Sequence, residues 1–202
     1  VHAIGDRGIR TTLDAYEYAK NINGPSDKRH MMSHIQLIHP DDQPRFNELD
    51  ITASFQSLWA YPDDYITQMT LPVLGPQRAA WLYPLGSVEK TGAHITGGSD
   101  WTVSSLNPLD AIEVAVTRRE PGELKGEALL PSEAVGLSTM LKAYTIDGAY
   151  SLFLEDKVGS IQVGKRADII FLDRNLFSIP SHEIHLAKVT HTFFDGNLVY
   201  EK

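Results

Sequence analysis

Short apolar segments alternate with helical patterns through residues 1–150, and few folds accommodate such an alternation. A helical pattern that begins near Ile9 follows the first apolar segment, and Asn23-Gly24-Pro25 ends it. The strand candidates interrupt this stretch at 2–5, 31–38, 51–56 and 93–97. Strands that alternate with helices form parallel sheets covered by those helices. The sequence therefore predicts an α/β fold.

Local signals predict several further helices. Pro40 suits the first position of a helix, which we expect to run to about Leu49. The segment Ser57–Leu85 is long and rich in Tyr, Trp and Pro, so we expect a loop with some helix. Asn107-Pro108 caps another predicted helix, and Ser138–Leu154 is expected to be helical throughout.

Strand patterns replace the helical ones after Lys157. Residues 158–164 read as a turn, a strand and a second turn, and Ala167–Leu172 as a buried strand. Val189–Phe194 and Leu198–Glu201 flank Asp195-Gly196-Asn197, which predicts a hairpin. This part of the chain is therefore expected to be mainly β.

Composition excludes several classes of function. The formal net charge is −8 and no basic cluster stands out, so nucleic acid is not an expected partner. No apolar run approaches the roughly 18 residues that span a bilayer. The chain has no Cys, which excludes disulfides, Cys-ligated zinc and a thiol nucleophile. The compartment stays open, with the cytoplasm slightly favoured, and the strand-like start at Val1 favours a truncated chain over loss of an initiator Met.

The spacing of His2, His34 and Asp100 predicts a shared site. A (β/α)8 barrel uses about 250 residues for eight units, or roughly 31 residues per unit. His34 follows His2 by 32 residues and Asp100 follows His34 by 66, close to one and two units. Functional groups of such barrels project from the C-terminal ends of different strands, so all three side chains would face one pocket.

Two imidazoles and a carboxylate are suitable ligands for zinc or a similar divalent ion. Such an ion lowers the pKa of its bound water to about 7, and Asp100 could pass a proton from that water to a leaving group. Alternatively, each His is a buried, hydrogen-bonded strand residue and Asp100 caps a helix or turn. His30 and His34 would chelate zinc as an H-x-x-x-H pair only if this segment were a helix.

Other residues have two interpretations each. Asp6 and Arg7 either orient His2 or begin a helix. Four aromatic residues either line a substrate pocket or form local core: Trp59, Tyr61, Trp81 and Trp101. The other histidines are expected at the surface or in caps: His39, His94, His182, His185 and His191.

Three segments resemble signatures of the amidohydrolase superfamily. The run from His2 to Arg7 resembles "HAIGDRA", the strand ending in His34 resembles "RIEH", and Gly98-Ser99-Asp100-Trp101 resembles "GSDWP". The tail after Gly159 resembles "GSI-x-x-GK-x-ADL". The nearest branch is the amidohydrolase-3, or YtcJ-like, group. Ser33 and Thr102 depart from the signatures, which have Glu and Pro at these positions.

This resemblance implies an α/β chain that forms the C-terminal half (strands 5–8) of a metal-dependent hydrolase (β/α)8 TIM barrel, plus part of a composite β-sandwich. Residues 1–155 would be the half-barrel and residues 156–202 the C-terminal part of the sandwich. His2 and His34 would be the metal ligands of strands 5 and 6. Asp100 would be the strand-8 ligand and catalytic proton shuttle. The family's strand-1 H-x-H pair and strand-4 group have no counterpart here.

The implied function is hydrolysis of C–N (non-peptide amide-type) bonds of a small molecule by metal-bound hydroxide, using one or two divalent ions, with zinc favoured. The alternatives are a non-catalytic fragment and a binding or regulatory protein on the same scaffold. The expected partners are a small-molecule substrate and either the missing N-terminal half or a second copy of the chain, since a half-barrel leaves strand edges open. Membranes are not an expected partner.

Overall fold

The computed structural model describes residues 1–202, and four parallel strands form its main sheet. They pair in chain order, each with the next. Their bounds are β1 (His2–Ala3), β2 (Met31–His34), β3 (Thr52–Phe55) and β4 (Ile95–Gly97). All four predicted strands are confirmed, and each is shorter than its apolar segment. The chain thus has a mixed α/β fold.

Helices connect these strands and continue beyond the sheet. They are α1 (Asp6–Asn23), α2 (Gln43–Glu48), α3 (Leu71–Ala79), α4 (Leu85–Lys90), α5 (Pro108–Thr117), α6 (Leu137–Ala143) and α7 (Ile146–Ser151). Helix α1 buries Ile9 and Leu13, as the pattern predicts. The Asn107 side chain accepts a hydrogen bond from Leu109 N, so the predicted cap of α5 is confirmed. No helix is both long and apolar enough to cross a membrane.

One helix was not predicted, and one helical prediction needs correction. The prediction of a loop with some helix over residues 57–85 is confirmed by a 3₁₀ turn (Ser57–Trp59), a π-helical turn (Tyr65–Thr70) and α3. The helix that was not predicted is α4, which begins at Leu85. The helix expected over 138–154 breaks between α6 and α7, where Thr145 leaves helical geometry. The break follows Tyr144, whose ring occupies the space beside Gly97 that a side chain would otherwise fill.

The C-terminal region forms a separate antiparallel sheet. Its strands are β5 (Ile169–Leu172), β6 (Val189–Phe194) and β7 (Asn197–Glu201), paired in that order. The predicted hairpin is confirmed, and Asp195 and Gly196 both have the positive φ that a tight hairpin turn requires. Leu176 and Ile184 from this region belong to the same hydrophobic cluster as Met32 of β2, so the two parts of the chain share a core.

The predictions of a strand within 158–164 and of a buried β5 are wrong. No strand forms between Gly159 and Gly164, because Ile161 and Val163 have no strand beside them and lie exposed. Ile170 and Phe171 of β5 are more than half exposed. Their apolar character indicated burial, but a single three-stranded layer leaves this surface uncovered.

Two glycines of positive φ allow a matched test of the junction between α7 and the C-terminal region. A Cβ at Gly159 would lie 2.7 Å from the Ala149 Cβ and 2.9 Å from the Ile146 Cα, whereas a Cβ at Gly164 would meet nothing within 4 Å. We expect Gly159→Ala to lower the free energy of unfolding by about 2–4 kcal/mol, and Gly164→Ala by about 1 kcal/mol. Urea denaturation measures both, and equal losses would refute the close contact.

Candidate metal centre

One face of the parallel sheet carries a row of polar side chains at a single level. His2 pairs with Ser33, Ser33 with Ser54, and Ser54 with Thr96. Because side chains alternate along a strand, these four share a face. The next level is apolar, faces the helices and consists of Met32, Ala53 and Ile95. The polar row therefore lies on the face of the sheet opposite to this apolar row.

His2 and His34 lie in contact at the carboxyl ends of β1 and β2. Their ring centroids are 4.4 Å apart and the ring planes meet at 70°. Trp59 stacks on His34 at 5.6 Å and 10°, which restricts rotation of that imidazole. The His34 ring is buried, and its Nδ1 has no hydrogen-bond partner. Two adjacent imidazoles, one with a free buried nitrogen, fit as part of the ligand set of a divalent ion.

The backbone at His34, beside this contact between the two rings, has a strained conformation. His34 and Ile35 have φ values of 75° and 43°, so two successive non-glycine residues adopt left-handed geometry. Ile35 N donates to Ala3 O at 2.9 Å, which ties this turn to β1. Strained backbone of this kind persists only where the surroundings enforce it, and it is concentrated at functional sites.

Asp100 is exposed on the segment that follows β4, with φ of 51°. Its carbonyl accepts from Val103 N at 2.8 Å, within a turn that the Ser99 hydroxyl also supports. No group of three or more His, Cys, Asp or Glu side chains is close enough to hold one ion. The structure therefore brings His2 and His34 together but does not bring Asp100 to them, and its role as ligand stays a prediction.

Asp6 begins α1, and its carboxylate binds Arg78 rather than His2. Arg78 donates to it at 3.0 and 3.1 Å, and Arg7 N donates at 2.9 Å. Although burial opposes ionisation, these hydrogen bonds and the charge of Arg78 hold the pKa of Asp6 below its usual value. Asp6 thus begins a helix, as one interpretation held, and also links α1 to α3.

The remaining histidines have structural contacts. His30 stacks on Tyr16 at 4.5 Å, and the H-x-x-x-H helix is excluded because His34 ends a strand. His39 accepts from Asp41 N, which confirms a capping role. His185 contacts the buried carboxylate of Glu113.

The aromatic residues of the loop separate into different environments. Trp81 packs against His39 with ring centroids 4.7 Å apart, and Trp101 is exposed. Only Trp59 among the four contacts a candidate ligand. Two clefts, of about 530 and 820 Å³, lie elsewhere, at the C-terminal end of α1 and between α7 and residues 158–170. Neither includes His2, His34 or Asp100 in its lining.

Gln56 was not predicted as a site residue. It directly follows β3, and its buried side-chain oxygen has no hydrogen-bond partner. Thr96 of the polar row also has an unpaired buried hydroxyl. The only available sequence signal was that Gln56 ends a strand candidate, which is where barrels place functional groups.

Comparisons with known proteins agree on one family. An Arabidopsis thaliana protein, LONG AFTER FAR-RED 3, is 34% identical over 99% of this chain and 33% of its own length. An Arthrobacter pascens N-substituted formamide deformylase is 27% identical over all of this chain and 36% of its own length. The chain thus spans about a third of the length of the curated relatives it matches.

Solved structures support the same relationship. A crystal structure of an uncharacterized metal-dependent hydrolase from Pyrococcus furiosus is 28% identical, with a TM-score of 0.67 over 87% of this chain and 33% of that one. The profile of the amidohydrolase family (Amidohydro_3) matches residues 1–200. This chain belongs to the amidohydrolase family, in its amidohydrolase-3 branch.

Proposed function

We propose that these residues form the C-terminal half of a metal-dependent hydrolase barrel that acts on C–N bonds of small molecules. The contact between the His2 and His34 rings, with the unpartnered Nδ1 of His34, carries this proposal. In it, β1 to β4 are strands 5–8 of a (β/α)8 barrel, whose strands pair in chain order as these do. Residues 1–155 belong to the barrel and residues 156–202 to the composite sandwich.

In this proposal His2 and His34 hold a divalent ion, with zinc the favoured candidate, and Asp100 is a further ligand. Such an ion, when bound, makes water a stronger nucleophile near neutral pH and polarises a carbonyl oxygen. Closing of the segment around Asp100 onto the two histidines would complete this part of the site. The flanking Gly97-Gly98 and the exposed position of Asp100 are compatible with that movement.

The reaction is the addition of water across an amide-type C–N bond, which yields a carboxylic acid and an amine. Asp100 accepts a proton from the attacking water and delivers it to the leaving nitrogen. Trp59 keeps the His34 ring in one orientation by stacking on it. The deformylase name of the Arthrobacter relative and the metal-dependent hydrolase title of the Pyrococcus structure support this reaction class.

The partners in this proposal are a small-molecule substrate and the part of the barrel that completes the site. The relatives are about three times as long as this chain, so a separate or covalently joined N-terminal half would supply the strand-1 H-x-H ligands. A second copy of the chain is the other candidate. Either would cover the exposed edges of β1 and β4, which are the ends of the sheet.

A non-catalytic binding or regulatory protein is the second candidate function. It applies if no other segment adds ligands to His2 and His34, because two histidines alone leave a catalytic ion with too few protein ligands. Retention of zinc without hydrolysis of any amide-type substrate would support this candidate over the enzyme.

Metal stoichiometry tests the proposed site directly. We expect the protein that carries this chain to retain zinc after incubation and desalting, and His34→Asn to bind it at least about tenfold more weakly. His182→Asn serves as the control, since His182 lies in the C-terminal region away from β1 and β2. Elemental analysis gives the ratio of metal to protein. An equal ratio of zinc to protein in wild type and in His34→Asn would show that His34 is not a zinc ligand.

A further inference from the structure

Gln56 carries a buried carboxamide whose oxygen has no hydrogen-bond partner. The residue is 5% exposed, and Oε1 is inaccessible to solvent. Buried polar atoms in native proteins are nearly always paired, because an unpaired one loses its hydrogen bonds to water without replacement. The unpaired oxygen therefore indicates a partner that the protein itself does not provide.

The carboxamide lies between the two parts of the candidate metal centre. On one side, Gln56 directly follows β3, which pairs with β2, the strand that ends in His34. On the other side, a Cβ at Gly98 would lie 3.1 Å from Gln56 Nε2, so the carboxamide passes directly over this glycine. Asp100 follows two residues later. Gln56 is thus adjacent both to the His34 side and to the segment that carries Asp100.

The unpaired buried atoms are concentrated at this end of the sheet. Five residues carry such side-chain atoms: His34, Gln56, Thr96, Arg118 and Tyr144. The first three come from, or directly follow, the neighbouring strands β2, β3 and β4. Tyr144 also approaches this end, since its ring packs beside Gly97, the last residue of β4. Three unpaired groups on adjacent strands favour one shared ligand over separate packing defects.

We infer that Gln56 binds the N–H of the substrate's scissile amide-type group through Oε1. This inference rests on the proposed function and adds to it a preference among amide-type substrates. A carboxamide oxygen accepts a hydrogen bond from N–H but gains nothing from a nitrogen that carries two carbon substituents. The site therefore favours substrates whose amide nitrogen bears one substituent over those whose nitrogen bears two.

A pair of metal-binding probes isolates this contact. Acetohydroxamate has an N–H next to its carbonyl, and N-methylacetohydroxamate has a methyl group in place of that hydrogen. We expect the zinc-loaded whole protein to bind the first about tenfold more tightly than the second, since the methyl group leaves the buried oxygen unpaired. Isothermal titration calorimetry measures both affinities without any need for turnover.

Variants at Gln56 assign the preference to this side chain. Gln56→Met keeps the length of the side chain but removes the acceptor, so the ratio of the two affinities should fall to near one. Gln56→Glu keeps an acceptor and should retain the preference. The exposed Gln162→Ala is the control and should match wild type. Zinc content is measured on every sample.

The outcomes separate this inference from the proposed function. If wild type retains zinc and binds both probes equally, or if Gln56→Met keeps the full preference, the inference is wrong while the metal site stands. If wild type neither retains zinc nor binds either probe, the proposed function fails and the inference fails with it. Equal binding of the two probes by wild type refutes the inference by itself, so this arm of the test does not depend on the folding of any variant.

Discussion

Asp100→Asn is expected to lower turnover by about 10³-fold, because Asn cannot accept the proton that the proposed reaction removes from water. Asn tolerates left-handed geometry, so the backbone at φ of 51° should persist. The side chain is exposed and the free energy of unfolding should not change. The measurement is release of 4-nitroaniline from 4-nitroformanilide, an N-substituted formamide, by the whole protein.

Asp195→Asn provides a matched control for this variant. Asp195 is also exposed and has φ of 50°, but it lies in the β6–β7 turn. It should keep wild-type turnover. Zinc content separates the two roles proposed for Asp100, since a variant that retains zinc but not turnover has lost the proton carrier. Undiminished turnover by Asp100→Asn would contradict the mechanism.

The strand-helix alternation was sufficient to predict the main sheet, and the spacing of His2 and His34 predicted that both face one pocket, where the structure brings their rings into contact. Both predictions depend on regular geometry, in which each repeat places its strand beside the previous one. The relation of Asp100 to these histidines could not be predicted in the same way. Its position depends on the path of the segment after β4, where no periodic pattern constrains the backbone.

Burial was the property that the sequence indicated least well. Ile170 and Phe171 looked like core residues but are exposed, because no second layer covers that surface of the C-terminal sheet. Gln56 has no unusual sequence context, and only the packing around Gly98 shows that its carboxamide is enclosed. Apolar patterns indicate which side chains gain from burial, but not whether the chain provides a covering surface.

Glu113 shows the opposite discrepancy, because it is a charged residue of a predicted helix that the structure buries completely. It lies in α5, and a charged side chain on a surface helix ordinarily faces solvent. Its carboxylate instead accepts from Gly122 N at 2.6 Å and from His185 N at 2.7 Å, and His185 Nδ1 lies 2.7 Å from Oε2. A partner that is 72 residues away in the chain cannot be predicted from local periodicity.

Glu113→Ala is therefore expected to lower the free energy of unfolding by about 3–5 kcal/mol, because it removes a buried carboxylate that three hydrogen-bonding groups from two other segments contact. Urea denaturation measures the loss. The exposed neighbour Glu120→Ala should change stability by less than about 0.5 kcal/mol. A loss of similar size in both variants would mean that the Glu113 contacts do not stabilise the fold.

A double-mutant cycle assigns the effect of Glu113 to its partners. If the carboxylate stabilises the fold partly through the His185 ring, then His185→Ala should cost less in the Glu113→Ala background than in wild type. We expect a coupling of about 1–2 kcal/mol. The loss of the two backbone hydrogen bonds in Glu113→Ala is the same with or without the His185 ring, so it cancels from the coupling. Strict additivity would show that Glu113 acts through Gly122 N and His185 N alone. Coupling would show that the ring contact itself fastens the C-terminal region to α5, which lies beyond the strand ends that carry the candidate metal centre.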